Sequence, residues 1–320
     1  MTFEEFLEEW HNDRDFIIAK TSGSTGSPKE IKLQKEFVGA SAMRTNCFFS
    51  LGEGSRLYSC VSPDYIGGKM MAVRAVLGGC SLAWETPSNE PLCEVDPWEE
   101  IDLLAVVPSQ MHHIVSNLSR LPKIRNIIVG GSAIPEILWS RISESGLNAY
   151  ETYGMTETAS HIALRKILKK KEPFTLLPGI DIETDSESCL KIKFSNDFII
   201  QTNDIAEIIS KNQFYIKGRR DNIIISGGKK INPFELENKI SKYISSSFYL
   251  TGYPDEKWGE ILVLVIEGNK SDFDCTQLKE YLSEELERWQ LPKKILFSSS
   301  LNRTVNGKLL RANLNPDALK

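Results

Sequence analysis

Short apolar runs alternate with stretches of helical periodicity over the first half of the chain. The runs that read as strands are Phe16–Ala19, Arg56–Val61, Ser81–Trp84, Ile101–Val107, Asn126–Val129 and Ala149–Tyr153. Between them, apolar residues recur at helical spacing over Gln34–Phe49, Gly68–Leu77, Ser109–Leu118 and Pro135–Ser145. Pro135 sits near the start of the last, where its missing N–H costs nothing. Strands alternating with helices predict a largely parallel sheet with helices on its faces. Such sheets bind ligands outside the carboxyl ends of their strands.

The pattern changes around Lys169–Glu172. Short strand-like runs with turn residues follow at Gly179–Glu183, Leu190–Phe194, Phe198–Thr202, Ala206–Ser210 and Phe214–Ile216. They predict a small antiparallel β subdomain over 174–216. Beyond the charged stretch Lys217–Asp221 come strand-like Asn222–Ser226, a Gly227–Gly228 turn and a helix from Pro233 to about Tyr243. Strands at Phe248–Thr251 and Ile261–Ile266 and an amphipathic helix at Cys275–Trp289 complete this segment. About 100 residues suffice for a separate α+β domain. The expected class is therefore α/β: a layered sheet-and-helix N-terminal domain with a small β subdomain (1–218), then a smaller C-terminal domain (219–320).

Composition narrows the function classes. A net charge of −5 over 320 residues gives no electrostatic case for a nucleic-acid partner. The six cysteines (47, 60, 80, 93, 189 and 275) form no C-x-x-C pair and read as thiols in a reducing compartment. Met1–Trp10 is acidic and amphipathic, unlike a signal peptide. No apolar run approaches the roughly 20 residues of a membrane span. A cytoplasmic protein without membrane insertion is expected.

Five segments carry candidate chemistry. Thr21–Lys29 packs hydroxyls and glycines before a lysine. Glycine lets backbone N–H groups approach an anion closely, and successive N–H groups can form a concave nest. Alone, such a loop is a plain surface loop more often than a phosphate site, and the common mononucleotide spacing is absent. Glu151–Thr158 places an aromatic, a glycine, a threonine and a carboxylate at a predicted strand end. Tyr153 can stack on a flat ring, and Glu157 can hold Mg²⁺, which binds through one or two carboxylates plus phosphates. The same residues also suit a helix start, with Thr156 as its cap. Val129–Pro135 reads alone as a strand-to-helix turn, Ile216–Asn222 with Ser226–Ile231 as a linker with a glycine turn, and Asn302–Lys308 as a surface turn.

Together and in this order, the five segments resemble the adenylate-forming superfamily of acyl- and aryl-CoA ligases, luciferases and adenylation domains. Thr21–Lys29 is similar to its Thr-Ser-Gly-Thr-Thr-Gly-x-Pro-Lys signature, with Ser24 for one threonine. Tyr153–Glu157 is similar to Tyr-Gly-x-Thr-Glu. Thr202–Asp204 resembles Thr-Gly-Asp, with Asn203 for glycine. Gly218–Asp221 with the following Gly-Gly resembles the hinge motif, and Asn306–Lys308 the C-terminal lysine motif. Thr152–Ile162 and Pro63–Arg74 further resemble the o-succinylbenzoate–CoA ligases of menaquinone biosynthesis, although Tyr65 stands where that family usually has histidine. The phosphate loop starts at Thr21, far nearer the first residue than in most relatives, so a shortened N-terminal part is expected.

The resemblance implies two half-reactions. A carboxylate attacks the α-phosphate of ATP to give an acyl-adenylate and pyrophosphate, and the thiol of coenzyme A then displaces AMP. It also implies roles. Thr21, Ser22, Gly23, Ser24, Thr25, Gly26 and Lys29 would hold the β- and γ-phosphates. Gly131, Ser132, Ala133 and Tyr153 would form the adenine slot. Thr156 would touch the α-phosphate, Glu157 would hold Mg²⁺, and Asp204 and Arg219 would bind the ribose. Lys308 would bridge the α-phosphate and the acyl carboxylate. Tyr65, Gly68, Lys69, Arg74, Thr158, Ser160 and His161 would line the acyl pocket. Asp221 would be the hinge of a mobile C-terminal lid whose Gly227–Gly228 face swings toward the thioester channel. The implied partner is a small carboxylic acid, and a homodimer is compatible with the pattern. The alternatives are a CoA ligase for another aromatic or aliphatic acid, or a non-catalytic nucleotide-binding relative.

Overall fold

The computed structural model describes residues 1–21, 29–97, 99–195, 198–303 and 309–311. The chain opens with helix α1 (Phe3–His11), the strands β1 (Phe16–Lys20) and β2 (Glu30–Gln34), helix α2 (Lys35–Phe49), β3 (Arg56–Ser59), α3 (Ile66–Gly78) and β4 (Ser81–Trp84). It continues with β5 (Glu100–Ile101), β6 (Leu103–Val106), α4 (Pro108–Ser116), β7 (Lys123–Ile124), β8 (Ile127–Val129), α5 (Glu136–Glu144) and β9 (Ala149–Met155). Strands β4, β3, β6, β8 and β9 lie side by side, all parallel. Every residue of β6 and β8 is buried. That is why they read as unbroken apolar runs, as strands covered by helices on both faces do.

The strands β10 (Ser160–Lys166), β11 (Phe174–Leu176), β12 (Ile180–Thr184), β13 (Cys189–Phe194), β14 (Ile199–Ser210) and β15 (Gln213–Arg219) follow. They form no sheet of their own. Antiparallel β10 pairs with β9, β11 joins β10 to β15, and β14, β13 and β12 extend the sheet to eleven strands. Local alternation reveals that a strand is half-buried but not which neighbour it pairs with, so the continuity was not readable. The runs 198–202 and 206–210 prove to be parts of β14, whose pairing shifts between Ile205 and Ala206. The run 101–107 breaks at Asp102, whose carboxylate accepts from the Arg56 amide at 2.9 Å.

A second sheet contains β16 (Ile224–Ser226), β17 (Lys229–Ile231), β18 (Phe248–Asp255), β19 (Gly259–Glu267) and β20 (Lys294–Ser298). Helices α6 (Pro233–Ile240) and α7 (Cys275–Glu285) cover it through Leu236, Ile240, Leu278 and Leu282. Among the described residues no helix is long and apolar enough to cross a membrane.

Helix α3 explains much of the site. Residues Gly68 to Ala75 are all buried, because α1, α2 and the sheet surround it. Two charged residues lie inside this run, five positions apart and so about 140° apart around the helix. Lys69 is neutralised locally. Its ammonium is 3.1 Å from Glu9 of α1 and 4.4 Å above the Phe6 ring. Among the described residues, Arg74 has no such carboxylate.

Candidate active site

The carboxyl ends of the parallel strands open into a cleft of about 2430 Å³. This exceeds the roughly 300–1,000 Å³ of an ordinary small-molecule pocket and suits more than one substrate. Residues after β6, β8 and β9 line it, with the base of the β1–β2 hairpin, the start of α3 and parts of the C-terminal sheet region. At the hairpin base, the Thr21 amide donates to the Lys29 carbonyl at 2.9 Å, and the Lys29 amide donates to Thr21 Oγ1 at 3.2 Å. Thr21 and Lys29 are thus held together at the open end of two paired strands. β2, which makes this possible, is too polar for periodicity to find: only Leu33 of its five residues is buried.

On the far side of the cleft, β14 and β15 place Asp204 beside Arg219. Tyr153 donates its hydroxyl proton to Asp204 Oδ2 at 2.7 Å, and Arg219 donates to Oδ1 at 3.0 Å. Arg219 also grips Asp221 through two nitrogens, at 2.9 and 2.8 Å. These carboxylates hold the Arg219 pKa above its ordinary value, Asp221 most strongly. Burial, reinforced by the Asp204 charge, pushes the Tyr153 phenol well above its ordinary range, so it is a lasting proton donor. A carboxylate has about four acceptor positions, and two protein donors leave Asp204 room for the hydroxyls of a diol.

Between these walls, Gly131 follows β8 with φ +95°, a conformation that suits glycine. Gly130 is constrained too, since a Cβ there would lie 2.8 Å from Thr152 Oγ1. Deeper in this wall, Glu151 pairs with Arg165 at 2.5 Å, and the Arg165 guanidinium covers the Phe174 ring at 4.3 Å. Periodicity gave no hint of this pair, because Glu151 and Arg165 become neighbours only when β10 folds back on β9.

The last wall holds Arg74. Its residue is 1% exposed. One terminal nitrogen lies 3.3 Å from Ser160 Oγ, another 3.5 Å from Met71 Sδ, and the buried Nε has no partner. Burial pushes the guanidinium pKa down to about 9, which still leaves it charged at neutral pH. His161, beside it, is held well below its ordinary pKa by burial and by the Arg74 charge. Of these two bases, Arg74 carries its charge at neutral pH and His161 does not.

The profile of the AMP-binding enzyme family matches residues 7–183, more than half of the chain. The chain belongs to that family. A 2-succinylbenzoate–CoA ligase of Listeria monocytogenes is 27% identical over 338 residues, covering 97% of this chain and 72% of that protein. The crystal structure of an acyl-CoA synthetase (AMP-forming)/AMP-acid ligase II-like protein from Dyadobacter fermentans is 33% identical, with a TM-score of 0.62, over 96% of this chain and 91% of that one. The o-succinylbenzoate CoA synthetase of Bacillus subtilis, in complex with the acyl-adenylate OSB-AMP, shares the fold at a TM-score of 0.78 and 23% identity.

In this AMP-binding enzyme, the cleft gathers Thr21, Lys29, Tyr65, Arg74, Gly131, Ser132, Ala133, Tyr153, Thr156, Glu157, Ser160, His161, Asp204 and Arg219. Ser22, Gly23, Ser24, Thr25, Gly26 and Lys308 lie outside the described residues. Six expected residues do not line the cleft, among them Asp221, which is held by the Arg219 guanidinium. Lys69 is turned to Glu9. Gly68 serves packing, since a Cβ there would lie 2.3 Å from the Ser62 carbonyl oxygen. Thr158 is buried and bonds the backbone of Met155 and Ser160. Gly227 packs under Trp258 with φ +56°, and Gly228, at φ +75°, faces open space. Thr156 caps no α-helix: Thr156–Thr158 form a single 3-10 turn between β9 and β10.

Proposed function

We propose that this chain activates o-succinylbenzoate as an acyl-adenylate with ATP and transfers it to coenzyme A in the cytoplasm, as a step of menaquinone biosynthesis. The observation that carries this reading is Arg74: a buried, charged guanidinium at the cleft, with no carboxylate in ion-pair distance among the described residues. Such a group is costly to bury unless an anion meets it. An acid with two carboxylates supplies one to react and one to pair with Arg74 and Ser160. A fatty acid or a simple benzoate leaves the guanidinium alone.

The other walls suit ATP. Thr21–Lys29 is assigned the binding of the β- and γ-phosphates and the release of pyrophosphate. Gly131, Ser132 and Ala133 with Tyr153 take the adenine, and Asp204 with Arg219 takes the ribose hydroxyls. Among the described residues no group of three or more His, Cys, Asp or Glu side chains gathers to hold a metal. Glu157 supplies the single carboxylate that a phosphate-bound Mg²⁺ needs, and when bound that ion neutralises phosphate charge. Thr156 donates to the α-phosphate, and Lys308 bridges it to the attacking carboxylate. Holding the two anions together and stabilising the charge that develops between them is most of the catalytic task.

Residues 219–320 act as a lid hinged near Asp221, bringing the Gly227–Gly228 face to the thioester channel after Lys308 withdraws. The backbone supports a pivot here. Gly218 has φ +131°, and a Cβ there would meet Asn232 at 2.7 Å, so only glycine passes this point without strain. Pyrophosphate release with a panel of acids tests the substrate. The reading predicts the highest kcat/KM for o-succinylbenzoate. A fatty acid or benzoate used equally well contradicts it.

A further inference from the structure

The turn that carries Ser160 holds a backbone conformation that L residues rarely adopt. Ala159 has φ +52° and Ser160 φ +97°, and at such angles a Cβ crowds the neighbouring carbonyls. Two successive residues stay there only where their surroundings over-determine them. Thr158 Oγ1 lies 2.6 Å from the Ser160 carbonyl oxygen. Gly154 lets β9 press against the turn, since a Cβ at that position would come within 2.2 Å of the same oxygen.

The third restraint comes from α2, no residue of which lines the cleft. Ser41, 2% exposed, donates to the Ala159 carbonyl at 2.9 Å. One turn later, Thr45 Oγ1 is 2.9 Å from His161 Nε2. Asn46 donates to the Arg74 carbonyl, also at 2.9 Å. One side of α2 thus grips both halves of the Arg74–Ser160 pair: α3 through Asn46, and the turn through Ser41 and Thr45. Packing alone would be served by apolar side chains such as Val38 and Ala42 on the same helix, both fully buried, because buried hydroxyls are costly unless bonded.

We propose that Ser41 and Thr45 are positioning residues for the acyl substrate. By clamping Ala159 and His161, they set the Ser160 hydroxyl against the Arg74 guanidinium. They also keep the acyl subsite in register with Thr156 and Glu157, which ride on the same turn. The inference rests on the reading of the cleft as an acid-activating site, and on the dicarboxylate only for the identity of the ligand.

Steady-state pyrophosphate release in the full chain tests the clamp with Ser41→Ala and Thr45→Val. Each raises KM for the acid that the wild type uses best by about tenfold, the effect of losing one buried hydrogen bond. KM for ATP stays within about twofold, because uniform loss of acyl binding leaves the nucleotide wall untouched. Thr45→Ser keeps the hydroxyl and restores the acid KM. An unchanged acid KM in both variants overturns the clamp. So does a parallel rise in KM for ATP, or a Thr45→Ser variant as impaired as Thr45→Val. The substrate reading fails separately, in the wild type, when an acid lacking the second carboxylate is activated as well as o-succinylbenzoate; the variants are then read with that acid.

Discussion

Replacing Arg74 by methionine separates what the guanidinium does for the fold from what it does for a ligand. Burial moves its pKa far below the ordinary guanidinium value, to about 9. At about 1.36 kcal/mol for each tenfold step, the folded chain disfavours the charge by several kcal/mol. Its protein partners offset little of this: one hydroxyl at 3.3 Å and one thioether at 3.5 Å. Methionine fills most of the volume without the charge. Exchanging buried charges for apolar side chains of similar size stabilises proteins by about 1–4 kcal/mol, and the lost contacts take back about 1 kcal/mol. Arg74→Met is therefore expected to keep or raise the urea midpoint of unfolding, by the equivalent of up to about 3 kcal/mol. Acid binding moves the other way. Losing a hydrogen bond to a charged group costs about 1.5–3 kcal/mol, so KM for o-succinylbenzoate rises roughly 10- to 100-fold while KM for ATP holds. Urea unfolding and pyrophosphate release measure the two halves on one preparation. A variant that is less stable, yet keeps the wild-type acid KM, refutes the idea that Arg74 is buried for a ligand.

The other predictions concern charge and the two half-reactions. KM for the acid should be flat from pH 6 to 8, because Arg74 stays charged and His161, held well below its ordinary pKa, stays neutral. Above about pH 9, KM rises with pH, since the neutral guanidinium must take up a proton before it can pair; tighter binding at pH 6 would show instead that His161 charges. Asp204→Asn keeps the shape that Tyr153 and Arg219 grip but weakens acceptance from ribose, so KM for ATP rises about tenfold with the acid KM unchanged. Lys308→Ala should abolish pyrophosphate release yet form thioester from supplied acyl-adenylate and coenzyme A. Equal loss of both half-reactions contradicts the lid exchange.

How much the sequence disclosed depends on how far apart the cooperating residues lie. The parallel strands and their helices were legible because burial on both faces leaves continuous apolar runs, as at Leu103–Val106 and Ile127–Val129. Motif order led to Asp204 and Arg219, which meet only through β14 and β15. Neither route could separate Lys69 from Arg74, two basic residues on one helix. Their difference is set by Glu9, about sixty positions away, which pairs with one and not the other. Ser41 and Thr45 were missed for a related reason. Their spacing puts them on one face of α2, and hydroxyls on a buried face were the available signal. What they hold, the Ala159–His161 turn, lies more than a hundred positions along the chain.

The central claim is the chemistry itself, and thioester formation tests it most directly. The full chain is incubated with ATP, Mg²⁺, coenzyme A and o-succinylbenzoate, and the products are read by mass spectrometry. The account predicts the o-succinylbenzoyl thioester of coenzyme A together with AMP, dependent on ATP and absent without the acid. Protein that binds ATP under the same conditions yet yields neither thioester nor acyl-adenylate would contradict it.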